Sequence, residues 1–145
     1  MVNQPDGFSW SEAARLKHVE FIQAAITRQA ANSSVVKGWA ITVATGAWAF
    51  AVREDDWQLA LIALVPISAF YVLDAYYLRQ ERLFRCLYRA TILTEPLVPT
   101  LSMDVSPFRS DEGVQWSAVL RSSPLVMLYG FIAVAGAIVF VASLP

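Results

Sequence analysis

The residues able to do chemistry in this chain are few, and that scarcity narrows the field. One histidine, His18, and one cysteine, Cys86, cannot supply the ligands of a zinc site. The two could act as base and nucleophile only if His18 came to rest against Cys86; otherwise His18 is a polar-face histidine and Cys86 a structural thiol. No glycine-rich phosphate loop, paired-carboxylate cleft or Ser-His-Asp arrangement suggests itself. No metal, cofactor or enzymatic activity is implied, and a lone cysteine excludes a disulfide framework within one chain.

Charge gathers in two places. Arg79, Arg82, Arg85 and Arg89 recur at helical spacing, with Tyr77, Phe84, Leu87 and Tyr88 on the other face, and Glu81 can pair with Arg85 for a few tenths of a kcal/mol. An arginine face of this kind attracts anionic lipid headgroups, at about 1 kcal/mol per cation near the surface. It equally suits a phosphorylated ligand, because arginine's planar fork matches phosphate oxygens. Both readings stay open. The second place is Asp74, an ionisable residue inside an otherwise apolar run. A carboxylate there requires a partner; the candidates are Lys37, Arg79 or a tyrosine hydroxyl from a neighbouring element.

The elements that position these groups are apolar and long. Val35 to Val52, Trp57 to Leu78 and Pro124 to Leu144 run for 18, 22 and 21 residues, close to the roughly 20 helical residues that cross a hydrocarbon core about 30 Å thick. With 57% hydrophobic and 16% charged residues and a mean hydropathy of +0.47, the composition departs from the roughly 25% charge of soluble domains. A soluble bundle of 145 residues has too little interior to hide three such helices. The expected fold class is therefore an all-α membrane protein with an N-terminal amphipathic helix and three transmembrane helices.

Of the 11 lysines and arginines, only Arg53 lies in the turn between the first two runs, beside Glu54, Asp55 and Asp56. The positive-inside rule then places the N-terminus and the middle segment in the cytoplasm and the C-terminus outside. No signal peptide is apparent, since the first thirty residues hold acidic groups and no continuous apolar stretch.

Residues 1–34 are read as a cytoplasmic segment. Ser9 to Glu12 has capping-box spacing, so a helix should start near Trp10. Its apolar stripe is Leu16, Val19, Ile22, Ile26 and Ala30, widened by Phe21 and Ala25. Asn32-Ser33-Ser34 weakens helix propensity before the first span, 35–52, without necessarily breaking it. Pro66 should kink the second span, 57–78, which continues without a breaker as a cytoplasmic helix over 79–91. Pro96, Pro99 and Pro107 interrupt the connection 92–122. Extended pairing is open for Leu101 to Val105, a short interfacial helix is expected over Val114 to Ser122, and Pro124 opens the last span, 124–144.

Lys17-His18-Val19-Glu20-Phe21-Ile22-Gln23, Arg28, Asn32-Ser33-Ser34, Lys37-Gly38-Trp39, Asp74 and Arg79-Gln80-Glu81-Arg82-Leu83-Phe84-Arg85 resemble a widespread family of small bacterial inner-membrane proteins. Some of its members resemble membrane effectors of antiphage defence, including the Hailong type. In that system a partner nucleotidyltransferase makes a nucleotide messenger that controls a channel. The resemblance covers roughly residues 15–90. It implies a homo-oligomer, here expected to have four copies, since three spans enclose no lumen, with membrane lipid as surroundings and no nucleic-acid duplex as partner. It also implies that Glu20, Arg28, Lys37 and Asp74 hold a closed state through ion pairs, while Arg79, Arg82, Arg85 and Arg89 sense the anionic ligand. The competing class is a non-conducting anchor or adaptor for a soluble partner.

Overall fold

A computed structural model describes residues 10–54, 56–92, 98–99 and 101–143, with the backbone alone for Trp10 and Ser11. The described residues are helical or irregular, with no strand among them. Ser9, half of the expected capping box, lies outside them.

Helix α1 runs unbroken from Trp10 to Glu54, 45 residues or about 67 Å. It passes through Asn32-Ser33-Ser34 without a break because those hydroxyls are occupied in helix-compatible ways. Ser34 Oγ donates back to the Ala30 carbonyl at 3.1 Å, and Ser33 is drawn into a buried contact described below. The segments expected as an amphipathic helix and a first span are thus one rod. Its buried stripe is His18, Ile22, Ala25, Ser33, Val36, Ala40, Ala44, Trp48 and Ala51, at steps of mostly three and four. This corrects the stripe inferred from the sequence: Leu16 and Phe21 face outward, and His18 faces in.

At the turn, Asp56 caps the next helix, its Oδ1 accepting from Gln58 N–H at 2.8 Å. Helix α2, Trp57–Ile62, and helix α3, Leu64–Ile92, are separated by a joint at Ala63. The cause is Pro66, which offers no N–H to the Ile62 carbonyl and crowds it with its ring. Ala63 N–H itself keeps the ordinary helical bond to the Leu59 carbonyl at 3.2 Å, so the break is confined to the rung that Pro66 removes.

Between α3 and the next α-helix the described residues are irregular. Leu101 adopts a left-handed φ of 66°, and 3-10 turns occupy Ser106–Phe108 and Glu112–Val114, so Leu101 to Val105 forms no strand. The left-handed residue breaks the alternation an extended strand needs. Helix α4, Trp116–Leu120, is the short helix expected there, and α5 spans Ser123–Ala142 with Pro124 in its first turn.

Three segments, Glu12–Glu54, Trp57–Ile92 and Ser123–Ala142, are long and apolar enough to cross a membrane. They pack through alanines of α1 (Ala40, Ala44, Ala51) against Ala60, Ala63 and Ile67 on one side and Tyr129 and Ile132 of α5 on the other. Gly136 admits the Trp48 ring so closely that a Cβ there would sit 2.5 Å from it. Trp57 meets Phe140 edge to face near one end of α5. Ala75 packs with Leu125 at the other. Residues 10–36 of α1 and 76–92 of α3 therefore project past the start of α5 as a two-helix arm.

Candidate functional site

At the level where α5 begins, α1 and α3 are joined by a polar contact. Asp74, fully buried, accepts at Oδ1 from Lys37 Nζ at 2.7 Å and from Ser33 Oγ at 2.5 Å. Lys37 Nζ also donates to Ser33 Oγ at 2.5 Å. Two charge-assisted bonds to one carboxylate oxygen offset the desolvation that burial imposes. The Lys37 side chain keeps 28% exposure, so its ammonium stays partly hydrated. Tyr129 of α5 lies in the field of this carboxylate, yet Tyr129 Oη and Asp74 Oδ2 are both buried without a hydrogen bond among the described residues. The contact thus brings all three long helices to one point.

The arginines of α3 divide into two pairs. Arg79 Nε donates to the Val114 carbonyl at 3.0 Å with its guanidinium 5.1 Å from the Trp116 ring centroid. Arg82 Nη1 donates to the Gly113 carbonyl at 2.8 Å. These two fasten the 113–116 segment to α3. Arg85 grips Glu81 through Nε at 2.8 Å and Nη2 at 2.7 Å. Arg89 is exposed and makes no ion pair with a described residue.

Two hollows adjoin this arginine edge. One, about 320 Å³, is lined by Arg82, Arg85, Cys86, Arg89 and Asp111. The other, about 430 Å³, is lined by Gln23, Thr27, Arg85, Tyr88 and Arg89. Arg85 and Arg89 border both, so cationic side chains outnumber carboxylates in the two linings, although Arg85 is already paired with Glu81. In the first hollow, burial and then a hydrogen bond from the thiol to Asp111 push Cys86 above the ordinary thiol range, which keeps it protonated and poorly nucleophilic.

Of the four residues expected to hold a closed state, the chain brings only two together. Lys37 and Asp74 meet, whereas Glu20 pairs with Lys17 at 2.7 Å on the exposed arm, and Arg28 makes no ion pair with a described residue. His18 does not approach Cys86. Its Nε2 lies 2.6 Å from the Ser102 carbonyl, tying the arm to the irregular segment, so the nucleophile–base reading fails on geometry. Ser33 and Arg15 were not anticipated as tethers. Ser33 completes the buried contact, and Arg15 Nη2 donates to the Ile92 carbonyl at 3.0 Å, capping the end of α3. Their signal was positional: Ser33 stands four residues before Lys37, on the same helix face. Among the described residues no three His, Cys, Asp or Glu side chains gather as a metal would require.

No family model, no curated protein and no solved structure matches this chain.

Proposed function

We propose that the chain is a subunit of an oligomeric channel in the bacterial inner membrane, opened from the cytoplasmic side by an anionic, nucleotide-type ligand in the service of antiphage defence. The arm carrying α3's arginines is the cytoplasmic end and the Glu54 turn the outer end, in accord with the distribution of cations. One observation carries the reading: the Lys37–Asp74 contact at 2.7 Å. It joins the two rods where they leave the apolar bundle, on the same α3 that bears Arg85 and Arg89 farther along. A ligand that binds one arrangement of the arms better than another shifts the equilibrium at that junction by its differential affinity.

The test is the membrane potential of cells expressing the protein, read with a voltage-sensitive dye, and ion flux from proteoliposomes with pyrophosphate or ATP added on the arm side. Depolarisation that Asp74→Ala alters supports the channel. Unchanged potential with the protein inserted, and no flux with either anion, favours the second reading of an anchor or adaptor. That reading draws on Arg79 and Arg82, which are committed to backbone carbonyls within the chain and so present a fixed surface to a soluble partner.

A further inference from the structure

We infer that the outward face of α1 is where a second copy of this chain docks, the two α1 helices lying parallel. This rests on the membrane placement proposed above and is independent of whether the assembly conducts. On the arm, α3 from residue 77 to 91 exposes only Arg85 and Arg89. Helix α1 is different: Leu16 is 69% and Phe21 53% exposed, on a segment that projects past α5 into water. Phe21 is followed on one stripe of the same helix by Val35, Trp39 and Phe50, all exposed, whereas Leu16 and Ile41 lie on the opposite flank, about 140° round the helix from Phe21.

On the Phe21 stripe, lipid can cover Val35, Trp39 and Phe50 but not Phe21, and a soluble partner can cover only Phe21. An occupant that covers the whole face must itself pass from bilayer to water at the level of Lys37 as a straight rod. A second α1 has that profile. Copies of one chain share one orientation in the membrane, so the two rods run parallel. Lys17 and Glu20, paired with each other at 2.7 Å, both lie exposed on α1, so that in a parallel copy at the same depth each comes within reach of the other chain's opposite charge. Within the span, a Cβ added to Gly38 or Gly46 would touch nothing in this chain, leaving space for a neighbouring helix to approach closely.

Disulfide trapping in native membranes tests the proposal. On a Cys86→Ser background, single cysteines replace Ala24, Ala31 or Thr42 on the outward face of α1, and Met127 or Val134 on the outward face of α5. After mild oxidation, dimer-sized bands several-fold stronger for the three α1 positions than for the two α5 positions are expected, and Gly38→Leu should weaken the Thr42→Cys band. Carbonate extraction of the same membranes reports insertion separately. Extraction-resistant protein that gives no dimer band, equal bands on α5, or an Ala24→Cys adduct of another mass overturns the interface alone. Release by carbonate overturns the membrane placement and the interface with it.

Discussion

Lys37 Nζ stands 2.7 Å from Asp74 Oδ1, and Ser33, one turn before Lys37, holds the same oxygen. Removing the carboxylate leaves an ammonium and a hydroxyl facing an apolar junction. Asp74→Ala should cost about 3 kcal/mol, the lower part of the range for a broken buried pair because Lys37 reaches water. Thermal melting in detergent checks this. The double replacement Lys37→Met with Asp74→Leu should recover most of the loss, and a single variant that melts with the wild type would sink the assignment.

Two glycines of α5 should respond oppositely to alanine. Gly136→Ala places a methyl 2.5 Å from the Trp48 ring and should destabilise by about 1–3 kcal/mol through overpacking. Gly130 has open space around it, so Gly130→Ala should be neutral or stabilising by up to about 1 kcal/mol from helix propensity. Equal melting of the two variants would contradict the close approach of α1 and α5.

Cys86 should alkylate slowly at neutral pH. Its thiol is shifted upward from 9.0 by burial and by Asp111, so the thiolate fraction falls and the iodoacetamide rate rises only at higher pH than for an exposed thiol. Asp111→Asn removes a negative neighbour that disfavours the thiolate, and the pH profile should move down. A profile that stays put would place Asp111 elsewhere.

Arg79 and Arg89 should separate structure from ligand binding. Arg79→Lys loses the planar stack on Trp116 and the aligned bond to the Val114 carbonyl, so amide exchange over 113–116 should quicken. Arg89→Ala breaks no hydrogen bond or ion pair with a described residue and should leave stability within about 0.5 kcal/mol, while abolishing any melting shift produced by pyrophosphate. An Arg89→Ala variant that still shows the full shift removes Arg89 from the anion site.

The three apolar helices, the continuation of the second one to Ile92 and the interruption before Pro66 were legible in the sequence, because length, hydropathy and a missing N–H act locally. Lys37 as a candidate for Asp74 was legible too, since a carboxylate in an apolar run restricts its possible partners. The rotation of α1 was not. Its inward stripe mixes His18, Ser33 and alanines, which a search for large apolar residues passes over in favour of Leu16 and Phe21. Nor could spacing reveal that Arg79 and Arg82 are bound to carbonyls more than thirty residues away. Contacts of that reach depend on how residues 101–122 fold back, and proline-punctuated chain carries no periodicity to announce it.

The joint at Ala63 divides the second apolar rod unequally, whereas α1 beside it has no such division. Six residues, Trp57 to Ile62, stay with α5 through the Trp57–Phe140 ring contact, and 29 residues of α3 lie on the other side of the joint. Side by side, one rod keeps its ladder of backbone bonds throughout and the other lacks a rung at the Ile62 carbonyl. Any bend between the two therefore falls in the second rod, between its tryptophan clasp on α5 and the limb that carries Asp74 and the arginines.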